Sequence, residues 1–184
     1  MRTRGEKVIA CIEEYCLIPS GEHVGKPMIL EDFEKKFILD VYDNPYITRR
    51  AYLSIAKKNG KTGLIACLLI VHIAGPEARQ NTQIVSGAQS RDQAGIVFDL
   101  AAKMVMLSQR LSKVIRIVPS SKKLIGLVRN VEYKALSAEG KNTHGISPVL
   151  AILDEVGQVA GPRDNFISAI ATSQGAYENP LLIA

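Results

Sequence analysis

A chain of 184 residues that is 47% hydrophobic and 22% charged suits one domain with a substantial core and is too apolar for disorder. Its net charge of +5 and pI near 9.1 suit a polyanionic partner, but the basic residues are scattered rather than gathered in a tail, so a solvated surface explains them equally well. Cys11, Cys16 and Cys67 form no CxxC pair, and His23, His72 and His144 have no metal-ligand spacing; both facts argue against a disulfide framework or a zinc site and for a reducing compartment.

Taken in chain order, residues 6–17 put Val8, Ile9, Ile12, Cys16 and Leu17 on one helical face. After the loop PSGEHVGKP, residues 30–42 repeat helical spacing through Leu30, Phe33, Phe37 and Val41, and Asn44-Pro45 ends that helix. Residues 46–56 read as a strand. The polar stretch KKNGKT follows, then a helix over 62–74 stopped by Gly75-Pro76. Its apolar run, 64–74, contains His72 and is too short to span a bilayer. The opening MRTRGEK leads into no apolar segment of a secretory signal, so a soluble cytoplasmic protein without membrane contact is expected.

Residues 82–88 read as a short buried strand. Ser90 is a candidate cap for a long helix over 91–110, with Ala94, Val97, Phe98, Ala101, Met104 and Val105 facing inward. Three β-like pieces follow at 114–118, 124–128 and 131–136, then a polar loop over 137–147. Residues 148–153 are a near-continuous apolar run ending in Asp154-Glu155. Asp164 is a candidate cap for a helix over 165–174, and 181–184 begin another apolar run. Strands alternate with helices and several strands are apolar throughout, which predicts a mostly parallel α/β sheet flanked by helices. Ligands of such sheets bind at the carboxyl ends of the strands, where both KKNGKT and Asp154-Glu155 are expected to lie.

A strand, a glycine-containing turn and a helix starting at Gly60-Lys61-Thr62 match the phosphate loop of nucleoside triphosphatases. Backbone N–H groups of residues 58–62 would converge on the β-phosphate at a helix N-terminus. Gly60 admits the close approach, Lys61 reaches the β- and γ-phosphates, and Thr62 offers its hydroxyl to Mg²⁺. The full pattern expects a first glycine at position 55, where the chain has Ile55. A basic solvated turn capping a helix with Thr62 is the plainer alternative. VLAILDE (149–155) fits an apolar strand that delivers a magnesium carboxylate, Asp154, and a general base, Glu155. Its plainer alternative is a strand running into a surface turn. A magnesium triphosphate is still anionic, and Lys57, Lys58 and Lys61, with Arg49 or Arg50 nearby, would supply the surplus of cations.

Four segments together resemble the large terminase subunit of tailed bacteriophages, over its N-terminal ATPase part. They are Lys57-Lys58-Asn59-Gly60-Lys61-Thr62, SGAQSRDQAGIVFDLAAKMV (86–105), LSAEGKNTHGISPVLAILDEVGQV (136–159) and ENPLLIA (178–184). The resemblance spans nearly the whole chain. It implies a P-loop fold of the additional-strand, catalytic-glutamate type, and ATP hydrolysis with Mg²⁺ that drives double-stranded DNA into a procapsid. It also implies a small terminase subunit, a portal protein and a homo-oligomeric ring as partners. Carried over residue by residue, Lys61 and Thr62 bind phosphate and metal, Asp154 is the magnesium carboxylate and Glu155 the catalytic glutamate. Lys57 stands where many relatives place an arginine for the γ-phosphate, and it lacks the bidentate fork. Phe33-Glu34 stands where relatives carry an aromatic-glutamine pair near adenine, and glutamate lacks the amide donor; a core role for Phe33 is the alternative. Residues 1–45 would form a helical lead-in with adenine-side contacts. Ala184 falls inside the last expected strand, so the resemblance implies one C-terminally truncated ATPase domain over 1–184, without the nuclease domain and with little or no turnover by itself. Two rival readings stay open: a helicase-like nucleic-acid-dependent ATPase, although Asp154-Glu155-Val156-Gly157 departs from the helicase pattern, and a non-hydrolysing P-loop interaction module.

Overall fold

The computed structural model describes residues 1–56, 60–88, 91–137, 145–153 and 165–184. Two helices open the chain, α1 (Arg4–Tyr15) and α2 (Asp32–Tyr42), followed by a short strand, β1 (Arg50–Ala51), and α3 (Lys61–Ala74). Then come β2 (Gln83–Ala88), α4 (Arg91–Leu107), the single turn α5 (Leu111–Val114), and the strands β3 (Ile115–Val118), β4 (Lys123–Gly126) and β5 (Val131–Ser137). The last elements are β6 (Pro148–Leu153), α6 (Asn165–Ser173) and β7 (Leu181–Ile183). No helix among the described residues is long and apolar enough to cross a membrane.

Among the described residues the strands form one seven-stranded sheet in the order β1-β7-β6-β2-β5-β4-β3. The first five in that order are parallel, as the apolar strands predict. β4 pairs antiparallel with both β5 and β3, a meander that the alternation of strands and helices does not announce. Its connections explain it. The turn Pro119–Ser121 closes with Lys122 in the left-handed region (φ 47°), and residues 127–130 close with Asn130 there as well (φ 50°). Links this short join antiparallel strands, whereas a parallel pair needs a crossover of a dozen residues or more.

The core sits mainly on one side of the sheet. α3 is buried along its length from Leu64 to Ile73, packed against α1, α4 and strands β4 and β5. A helix apolar all round is stable only inside a protein, which is where this one lies. All six residues of β6 are buried, so both faces of that strand are covered. A second, smaller cluster on the other side joins Val85, Ala151, Leu153 and Leu182 to Ile170 of α6.

Several expected elements are corrected. The strand over 46–56 shrinks to Arg50–Ala51, although backbone bonds from Leu182 N to Arg49 O and from Leu53 N to Ala184 O extend its ladder. A turn precedes it: Asn44 Oδ1 accepts from Tyr46 N at 2.9 Å, and Ile47 takes φ +56°. The helix over 6–17 stops at Tyr15, where Cys16 turns extended (φ −86°, ψ 135°) and Leu17 bridges Pro27. The helix over 91–110 ends at Leu107, and Val114 belongs to α5 rather than to a strand. Ser90 and Asp164, the expected caps, lie outside the described residues.

Gly126 marks a close contact between meander and core. A Cβ there would collide with the backbone carbonyl oxygen of Ile73, in the last turn of α3. Backbone cannot swing aside like a side-chain tip, so β4 would have to move off the helix. Gly126→Ala is expected to destabilise the fold by about 1–3 kcal/mol, the range for overpacking. A urea unfolding curve with an unchanged midpoint would contradict this.

Candidate functional site

The start of α3 is built on Gly60. Its backbone is left-handed (φ 77°, ψ 1°), a conformation that glycine adopts without strain. Gly60 is the helix N-cap, and its carbonyl accepts the first helical bond from Leu64 N at 3.0 Å. The first-turn N–H groups of a helix have no intrahelical partner, so they and the helix dipole suit an anion at this point. Lys61, Thr62 and Gly63 are half-buried and Gly60 is exposed.

A cleft of about 580 Å³ opens beside this turn, lined by Met28, Leu30, Phe33, Glu34, Gly63 and Leu64 among others. Sequence reasoning missed Met28, Leu30, Gly63 and Leu64, because nothing in a linear pattern brings the loop before α2 against α3. Phe33 is 42% exposed on the cleft wall, which overturns the alternative that assigned it to the helix core. Its neighbour Glu34 is the buried one, 8% exposed. Glu34 Oε2 accepts from Glu31 N at 2.9 Å, and Oε1 lies 3.7 Å from where a Cβ on Gly60 would stand. Burial pushes the Glu34 carboxyl above its ordinary range; the Glu31 N–H pulls it back in part, and the nearby Glu31 carboxylate pushes it further up.

Across the sheet, β6 ends at Leu153, 2% exposed and directly followed by the acid pair. β7 lies between β6 and β1, and all three are parallel. The strand leading to Gly60 and the strand leading to Asp154 therefore finish on the same edge with one strand between them. Lys57, Lys58, Asn59, Asp154 and Glu155 themselves lie outside the described residues. Of the expected site, the structure brings together Phe33, Glu34, Gly60 and the start of α3. Away from it, His72 is buried and shares a 2.9 Å hydrogen bond with Tyr42, while His23 is exposed.

The profile of the family described as "Terminase large subunit, ATPase domain" matches residues 32–183. The chain belongs to this family of terminase ATPase domains. It is 67% identical over 181 residues to the terminase large subunit of Enterobacteria phage HK97, covering 98% of this chain and 36% of that protein. The crystal structure of the HK97 large terminase superposes with a TM-score of 0.93 at 66% identity, over 99% of this chain and 37% of that one. The large terminase ATPase domain of Thermus phage P74-26 shares the fold at 20% identity and a TM-score of 0.64, over 91% of this chain and 70% of that one. The chain thus spans about a third of the length of its HK97 relative. The terminase profile starts at the first residue of α2, so it takes in Phe33 and Glu34 and leaves out α1.

Proposed function

We propose that this chain is the ATP-hydrolysing motor part of a terminase large subunit, and that the whole protein drives double-stranded DNA into a procapsid. One observation carries the reading: the strand that precedes the glycine-capped α3 and the strand leading to Asp154-Glu155 run parallel in one sheet, a single strand apart. In this reading the backbone N–H groups of residues 58–62, Asn59 and Gly60 included, hold the β-phosphate. Lys61 spans the β- and γ-phosphates. Lys58 adds positive charge, and Lys57 meets the γ-phosphate as a point charge. The Thr62 hydroxyl and Asp154 carboxylate are hard oxygen donors that suit Mg²⁺, which when bound neutralises phosphate charge. Glu155 orients the attacking water and takes its proton as the water oxygen bonds to the γ-phosphorus and the bond to the ADP oxygen breaks. Phe33 offers a half-exposed ring for a purine to stack on, with Glu34 beside it.

The proposal extends to a small terminase subunit, a portal protein and a homo-oligomeric ring as partners, in the cytoplasm of the bacterial host. It takes residues 1–45 as the adenine-side lead-in, and it keeps slow turnover for a polypeptide of these 184 residues alone, which steady-state phosphate release measures. The deciding experiment is a titration with a fluorescent ATP analogue, with and without Mg²⁺, on wild type and Asp154→Asn. Mg²⁺ is expected to tighten binding to wild type and to do so far less for the variant. Equal metal dependence in both would remove Asp154 from the site, and no binding to wild type would end the reading.

A further inference from the structure

Charge is distributed unevenly along this chain. Residues 101–134 carry eight Lys and Arg against one acid, Glu132, whereas the rest carries 15 Lys and Arg against 17 Asp and Glu. The meander folds the second half of that segment into three short strands, and their register sorts the side chains. One face takes Ile115, Ile117, Leu124, Gly126, Val131 and Tyr133, and it packs on the α3–α4 side. The other face has two rows: Val118, Lys123 and Lys134 opposite one another, then Arg116, Ile125 and Glu132. Arg116 is exposed and the other five are half-buried.

This arrangement is unfavourable for the fold alone. Lys123 and Lys134 stand directly opposite in an antiparallel pair, where like charges repel. Lys123 Nζ is answered by Glu132 Oε1 at 2.7 Å. Arg116 and Lys134 have no ion-pair partner among the described residues. Cations on an edge strand guard it against pairing with other chains, and that accounts for Arg116 on β3. It does not account for Lys134, because β5 is an interior strand with β4 on one side and β2 on the other. α6 packs on Val85, Ala151, Leu153 and Leu182 of β2, β6 and β7, and among the described residues the apolar cluster it joins includes Leu136 of β5.

We propose that this two-row face of β3–β5 is a contact surface for the phosphate backbone of double-stranded DNA. The inference rests on the reading of the chain as part of a DNA motor and adds the surface that touches the cargo. Phosphate contacts are made by Lys and Arg without regard to sequence, and they suit a motor that must grip any base pair. The six side chains of the face include no aromatic ring on which unpaired bases could stack, which favours a duplex over a single strand.

The test is fluorescence anisotropy of the full 184-residue chain with two labelled duplexes of unrelated sequence, across a salt series. Arg116→Ala/Lys134→Ala leaves the Lys123–Glu132 pair in place. Its binding is expected to weaken equally on both duplexes, with the slope of log K against log salt shallower by about 2. Arg116→Lys/Lys134→Arg should restore the slope. Lys36→Ala, which removes an exposed cation bridged to Asp40 on α2, should not change it. If the alanine pair unfolds, Arg116→Gln/Lys134→Gln keeps the side-chain stems and carries the same measurement. An unchanged slope in a folded double variant overturns this surface and leaves the motor reading standing. Absence of duplex binding by a wild-type chain that binds nucleotide overturns the DNA role of this chain together with the surface. Displacement of duplex by polyglutamate at equal charge reassigns the face to an acidic protein and overturns it too.

Discussion

Glu155→Gln is expected to slow ATP hydrolysis by about 10²–10⁴-fold while leaving ATP affinity nearly unchanged. The amide keeps the size of the side chain and its ability to hydrogen-bond water, but it has no basicity with which to accept the proton. Removing one negative charge near a triphosphate does not weaken binding and, by Coulomb's law, strengthens it slightly. The position supports the role: Glu155 follows by two residues a strand whose six residues are all buried. Single-turnover hydrolysis with protein in excess over ATP reads the chemical step even where steady-state turnover is slow. Lys61→Ala supplies the contrast, since it should lose affinity for the analogue as well as rate. An unaltered single-turnover rate in Glu155→Gln would remove this residue from the reaction. A joint loss of binding and rate would mean that Glu155 holds nucleotide rather than activates water.

Elements whose hydrophobic run is long or unbroken were legible from sequence alone. α3 and β6 are of that kind: one reads as a buried helix that ends at Gly75, the other as a strand apolar on both faces. Those two elements also adjoin the expected site residues, α3 at Lys61-Thr62 and β6 ahead of Asp154-Glu155. Direction within the meander was not legible, since four-residue strands carry no signal of parallel or antiparallel pairing. The length of β1 was hidden for a related reason: a left-handed residue at Ile47, a β-branched type, is set by the preceding turn and not by composition. Helical periodicity groups Phe33 with the apolar positions of α2, yet the fold leaves Phe33 exposed and buries Glu34, because α2 turns its first-turn acid toward Gly60. The basic face of the meander was equally invisible. Arg116, Lys123 and Lys134 look scattered in the sequence, and only the antiparallel register sets them side by side.

At the opposite end of α3 from Gly60, the fold carries a pH dependence that can be predicted with its sign. His72 is 6% exposed, and its Nε2 shares a 2.9 Å hydrogen bond with the buried hydroxyl of Tyr42. Burial pulls the imidazole down to about 4; Glu77 opposes this, and Arg4 and Arg79 reinforce it. Tyr42 stays neutral, its hydroxyl pushed up by the same burial. Glu77 is held by Arg4, 2.5 Å from Arg4 Nη2 to Oε2, which keeps its carboxyl below the ordinary range, so its own loss comes at lower pH. Unfolded, His72 protonates near 6.5. Between the two values the unfolded chain binds a proton that the folded one does not, so stability is full above about pH 6.5 and falls toward pH 4. The gap corresponds to about 3 kcal/mol in total, with about 2 kcal/mol lost by pH 5. Glu34 works in the opposite sense, because a carboxyl held above its ordinary range favours the fold as pH falls. Urea unfolding of wild type, His72→Gln and Glu34→Gln at pH 7.5 and 5 separates the two. His72→Gln should flatten the acid loss and Glu34→Gln should steepen it. A wild-type curve as steep as that of Glu34→Gln would remove Glu34 from the acid side of this fold, and one that His72→Gln leaves unchanged would remove His72.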